Sequence, residues 1–160
     1  MNLNHMNAAV FERYGSPEVL VIKRVNRPTP KDNELLIQVV ATTVNRTDCA
    51  ILTAKPFIMR FVTGLFRPRK PIPGTDFAGR VEAVGKDVTS FRASDRVFGF
   101  DDSCLSSQAQ YMTLAQDKAL DVFPEQLTFE QAAACLEGAH YAYNIINKLN
   151  IKTGQKVLVN

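Results

Sequence analysis

Cysteine is scarce in this chain. Cys49, Cys104 and Cys135 are odd in number, widely spaced and without a C-x-x-C pair, which argues against a disulfide framework and a thiolate zinc knot. Reduced side chains acting as small apolar fillers are expected instead. There is no apolar run of the roughly 18 residues that a membrane span needs. Met1 to Met6 has neither the basic patch nor the apolar run of a signal peptide. The reading is a soluble, cytoplasmic protein with no membrane partner. Charge of one sign is also in short supply, at a net +3. Lysines and arginines are scattered except around Arg60, Arg67, Arg69 and Lys70. That is no nucleic-acid footprint, and a loop that keeps itself solvated accounts for it. A chain of 160 residues, 46% of them hydrophobic, buries one core and leaves little room for two complete domains.

What is present reads first as sheet. Ala8 to Phe11, Val19 to Val25 and Leu35 to Val44 are strand-like runs separated by Gly15-Ser-Pro17 and by Pro28 to Asn33. Leu20, Ile22 and Arg24 share one face of the second run. The third is almost continuously apolar, as expected of a strand buried on both sides. Pro71 to Gly79 reads as a turn, Arg80 to Val84 as a strand, Gly85-Lys-Asp87 as a reversal and Arg96 to Phe100 as a further strand. Gln110 to Leu114 and Ala119 to Val122 add two more pairings. Short strands at this spacing predict a barrel or sandwich.

Two segments break that texture. After Thr53, Lys55-Pro56 opens a short helix with Phe57, Ile58, Phe61 and Val62 on its apolar face and Gly64 at its end. It serves either as a plug in one end of a barrel or as a substrate lid. Further on, Thr128-Phe-Glu-Gln131 has the form of a capping box, followed by apolar residues at helical steps and a break at Gly138. Gln155 to Asn160 then reads as a strand entering a parallel sheet whose partners lie elsewhere.

Pro73-Gly-Thr-Asp-Phe-Ala-Gly-Arg-Val-Glu-Ala-Val-Gly85, followed by Asp95-Arg-Val97, resembles the central signature of the medium-chain dehydrogenase/reductase superfamily. Val44 to Asp48 is similar to that family's strand end beside cofactor and substrate, Leu136 to Tyr143 to its interdomain helix, and Lys152 to Asn160 to its first Rossmann strand. The resemblance implies a mainly β, α+β fold: a GroES-like, partly open β-barrel over residues 1–127, with residues 128–160 the beginning of a truncated Rossmann domain.

In the zinc alcohol dehydrogenase branch, a Cys and a His hold the metal where this chain has Asn45 and Thr75. An amide and a hydroxyl are poor zinc ligands. Asp76 matches a Glu of that branch, and one carboxylate makes no site. The resemblance therefore points to the metal-free quinone oxidoreductase branch, which includes zeta-crystallin. Its members move hydride from NADPH to a quinone, an enone or a related carbonyl, and the full-length parent is expected to be a homodimer. By resemblance Asn45 lies near the nicotinamide, with its amide free to donate to substrate or cofactor, and Arg46 and Tyr141 belong to the cofactor side. Tyr141 stands where the family usually has Thr, and either stacks on the nicotinamide or crowds it. Asp48 either orients Asn45 or caps the following turn. Thr75 either faces the pocket or serves the turn after Gly74, and His140 is either a proton donor or simply packed. The set expected at the site is Asn45, Asp48 and Thr75 for catalysis, Asn45, Arg46 and Tyr141 for the cofactor, and no metal.

Several positions depart from the branch. Ala50 and Pro56 replace tyrosines, the segment from Thr53 to Lys70 is longer, and Ser94 replaces a Gly before Asp95-Arg-Val97. The phosphate-binding Gly-x-Gly-x-x-Gly turn does not occur in the 160 residues, so the chain alone is expected to bind NADPH weakly and to lack reductase activity. A stand-alone GroES-like binding module, or a parent that reduces enoyl thioesters or resembles alcohol dehydrogenases, are the competing readings.

Overall fold

The structure, a computed structural model, describes residues 4–101, 106–149 and 151–158. Cys104, Val159 and Asn160 lie outside them. Strands β1 (His5–Val10) and β2 (Val21–Asn26) form an antiparallel hairpin pair. The other five strands are β3 (Glu34–Thr42), β4 (Asp76–Val84), β5 (Arg96–Phe100), β6 (Tyr111–Ala115) and β7 (Leu120–Val122). They form one sheet in the order β6-β3-β4-β5-β7, antiparallel throughout. A bridge between Ala8 and Ala109 ties the two sheets together. The fold is thus mainly β with few helices. The edge strands β6 and β7 do not pair with each other among the described residues, so the strands make two joined sheets rather than a closed barrel.

Burial explains why these segments pair. Leu35, Ile37, Phe77, Val81, Val97, Met112 and Leu114 meet in one cluster under the central strands, where alternation puts every second side chain on the same face. β3 is central but not buried throughout: Leu35, Leu36 and Ile37 are buried, and beyond them its residues are half-buried or exposed. Its continuous apolar character reflects position between two neighbours more than double-sided cover. β4 begins at Asp76, so the stretch read as a turn up to Gly79 is already ladder. In β2 the inward side chains are Lys23 and Val25, whereas Ile22 lies outward at 74% exposure.

Arg96, from the Asp95-Arg-Val97 motif, donates to the carbonyls of Glu125 and Leu127 and lies over the rings of Phe123 and Phe129. It thereby fixes the loop that delivers α3 (Phe129–Ala134). Ala132 and Ala133 pack with Ala78 and Phe123. The expected capping box is formed, Thr128 accepting from the Gln131 amide and Gln131 from the Thr128 amide. The helix break falls at Cys135, and Gly138 sits inside the following helix α4 (Leu136–Leu149). Cys49 and Cys135 are exposed, not apolar filler. No strand is formed over 155–158, where Leu158 is 93% exposed, because a parallel strand needs neighbours this chain does not offer it. No described helix is long and apolar enough to cross a membrane.

Candidate functional site

The site is assembled where β3 ends. Beyond Thr42 the chain turns into α1 (Arg46–Thr53), and Asn45 is its N-cap. The Asn45 carbonyl oxygen of the side chain accepts from the Asp48 amide at 2.9 Å, and the Asp48 carboxylate accepts from the Asn45 amide at 3.1 Å. Asp48 thus caps the helix and holds Asn45 with the same contacts. Underneath, the Pro73-Gly74 turn brings in Thr75 and Asp76. Gly74 has φ +112, and a Cβ there would lie 2.2 Å from the Ser107 hydroxyl oxygen, so only glycine fits.

The Asn45 side-chain nitrogen donates to the Thr75 hydroxyl at 2.6 Å and to Asp76 Oδ2 at 3.2 Å. Thr43 donates to the same Asp76 oxygen at 2.6 Å. Both amide hydrogens of Asn45 are engaged within the protein. Thr75 is fully buried and lies one layer behind Asn45, outside the residues that line the cavity.

That cavity, of about 780 Å³, falls within the range of small-molecule sites. Thr43, Asn45 and Asp76 form its floor, Arg46 and Thr47 come from α1, and Glu137 and Tyr141 face them from α4. Met59 and Val62 close one side from α2 (Met59–Thr63). In the segment read as a plug, a substrate lid or both, Phe57, Ile58, Phe61 and Phe66 are exposed, and Met59 and Val62 of α2 line the cavity. His140 is exposed outside the cavity lining; its ring lies 5.8 Å from that of Phe100 and is 3.1 Å from the Asn144 side-chain nitrogen.

Sequence reasoning missed Thr43, Thr47 and Glu137, and weighed Asp76 only as a zinc ligand. Glu137 is buried and accepts from the Thr47 hydroxyl at 2.6 Å, across 90 residues of chain. Its four-residue spacing from Tyr141 was the available signal, since it puts both on one helix face. Asp48, Asp76 and Glu137 are all buried, and Asp76 and Glu137 each keep one buried carboxylate oxygen without a protein partner. Burial pushes the Asp48 carboxyl up to about 6, helped by the charges of Asp76 and Glu137 and opposed by the Asn45 and Gly74 amides. Zinc fits poorly, because Asn45 and Thr75 are bonded to each other and neither is a thiolate or an imidazole. Among the described residues no group of three His, Cys, Asp or Glu side chains is arranged to hold a metal.

The profile of the alcohol dehydrogenase GroES-like domain matches residues 31–143. The chain is 38% identical over 159 residues to the quinone oxidoreductase of Sus scrofa, covering 96% of this chain and 45% of that protein. The solved quinone oxidoreductase of Coxiella burnetii superposes with a TM-score of 0.81 at 28% identity, over 94% of this chain and 47% of that one. The Escherichia coli quinone oxidoreductase, solved in complex with NADPH, gives a TM-score of 0.71 at 27% identity, over 89% and 41% of the two chains. The chain spans a little under half the length of these relatives. It belongs to the GroES-like domain family of the alcohol dehydrogenases, within the quinone oxidoreductase branch of the medium-chain dehydrogenase/reductase superfamily.

Proposed function

We propose that this chain forms the substrate-side wall of an NADPH-dependent oxidoreductase that transfers hydride to a quinone, an enone or a related carbonyl without zinc. The observation that carries this reading is the cavity floor, where Asn45 binds Thr75 and Asp76 in place of a metal. NADPH, when bound, supplies the hydride. The carboxylates of Asp76 and Glu137 among the lining residues make the cavity a poor place for a phosphate. Tyr141 and Arg46 both line the cavity; the tyrosine ring suits a planar group and the guanidinium suits developing negative charge. Met59 and Val62 keep water from one side. Asn45, Asp48 and Thr75 then act as positioning residues, holding the floor rigid while the reacting groups approach.

The exposed apolar residues of α4, among them Tyr143, Ile145, Ile146 and Leu149, support the view that residues 128–160 begin a nucleotide-binding unit in a longer, homodimeric enzyme. The test is an assay of the full-length enzyme with NADPH and NADH against quinones, enones and enoyl thioesters. Turnover of quinones or enones with chelated, zinc-free enzyme is expected. Stoichiometric zinc in protein purified without metal-affinity resin, with activity lost on its removal, overturns the proposal.

A further inference from the structure

Gly138 has no reason within the described fold to be glycine. It lies in helix α4, its φ is outside the left-handed region, and a Cβ built on it would meet nothing within 4 Å. Each of the other seven glycines either has a positive φ or would press a Cβ to 2.6 Å or closer against a neighbouring atom. Glycine is also the poorest helix former after proline, so local energetics favour almost any other residue at this position.

What position 138 has instead is a place in the cavity wall. Glu137, Gly138 and Tyr141 all line the cavity, and their spacing puts them on one side of α4, with Tyr141 about one turn beyond Gly138. The missing side chain leaves a notch in that wall. Ala50, Met59, Val62 and Ala134, also in the lining, are apolar, while Glu137 has one oxygen bound to Thr47 and the other buried. A flat apolar ring lies against bare helix backbone without needing a hydrogen-bond partner. A carboxamide laid there needs partners that the apolar side chains do not offer.

We propose that Gly138 is a specificity-determining position, its missing side chain making room in the cavity for acceptors with fused rings as well as for single-ring ones. The inference rests on the reading of the cavity as the acceptor site and adds which acceptors fit it. A side chain at 138 would take up this space without a clash in the fold, so the glycine bears on the cavity and not on the packing of α4.

Two aromatic ketones that differ by one fused ring, acetophenone and acetylnaphthalene, are titrated into the full chain and followed by its amide resonances. The larger ketone is expected to bind and to shift Gly138 and Tyr141. Gly138→Leu should weaken its binding at least about tenfold and change that of acetophenone less than about threefold. Ala139→Leu, which adds bulk at an exposed neighbour outside the lining, should leave both unchanged. In urea, Gly138→Ala should unfold at a higher concentration than the parent chain. No binding of the larger ketone, unchanged binding in Gly138→Leu, equal loss for both ketones, the same loss in Ala139→Leu, or a lowered urea midpoint for Gly138→Ala overturns the proposal. In the full-length enzyme, Gly138→Leu should raise KM for naphthoquinone relative to benzoquinone and leave that for NADPH unchanged. A rise confined to NADPH also overturns it, by putting the cofactor at the notch. Ketone binding is read without turnover, so absence of quinone turnover counts against the reductase reading alone.

Discussion

The side-chain nitrogen of Asn45 lies 2.6 Å from the hydroxyl of Thr75, so the two residues that the resemblance sets against a zinc enzyme's Cys and His hold each other. The contact joins the N-cap of α1 to the turn that opens β4, two elements that meet only in the folded chain. It makes the cavity floor a hydrogen-bonded plate rather than a coordination site.

Removing that plate should be costly. Asn45→Ala loses a helix cap and leaves the buried oxygens of Thr75 and Asp76 with fewer donors, a loss of about 2–4 kcal/mol in all. Urea denaturation of the variant against the parent chain measures it. A change below about 0.5 kcal/mol, the range of neutral surface substitutions, would show that the plate contributes nothing to stability.

Asp48 predicts a particular pH dependence. Its folded pKa of about 6 lies above the ordinary 3.8, so between those values the folded chain binds more protons than the unfolded one. This group's contribution is therefore fully present below about pH 4 and is lost as pH rises through 6. The loss is on the order of 2 kcal/mol once solvent screening is allowed for. Asp48→Asn keeps an acceptor for the Asn45 amide and removes the charge. Its thermal midpoint, followed across this window, should decline less with rising pH than that of the parent chain, and identical slopes would count against the assignment.

Ser94 has φ +76 and is exposed, a left-handed conformation that disfavours any residue with a Cβ. Ser94→Gly should stabilise the chain by about 1 kcal/mol. Chemical denaturation decides this, and an unchanged or lowered midpoint refutes it.

Cofactor affinity supplies another measurement. The 160 residues contain no Gly-x-Gly-x-x-Gly turn, the usual source of backbone amides for a pyrophosphate. The isolated chain is expected to bind NADPH more weakly than micromolar by calorimetry, and micromolar binding would sink that expectation.

Features carried by neighbouring residues were legible without coordinates. The Thr128 capping box, the strand order along the chain and the turn after Val84 depend on contacts within a few residues, and composition reports those directly. The Gly138 break failed because a single glycine weakens a helix without ending it, and α4 continues through it. Where the apolar side chains around α2 lie was not legible, because apolar character does not say which surface a side chain meets.

By itself, the sequence determined the mainly β character of the chain, its family and the replacement of Cys and His by Asn45 and Thr75, because these reside in residue identity and short-range pattern. Only the tertiary structure decided that Asn45 spends its amide inside the protein, that Asp76 and Glu137 meet at one cavity and each keep a buried oxygen without a protein partner, and that Phe61 and Phe66 are exposed. Hydrogen-bond partners and exposure arise from segments distant in the chain packing together, and no local pattern encodes which of them will meet.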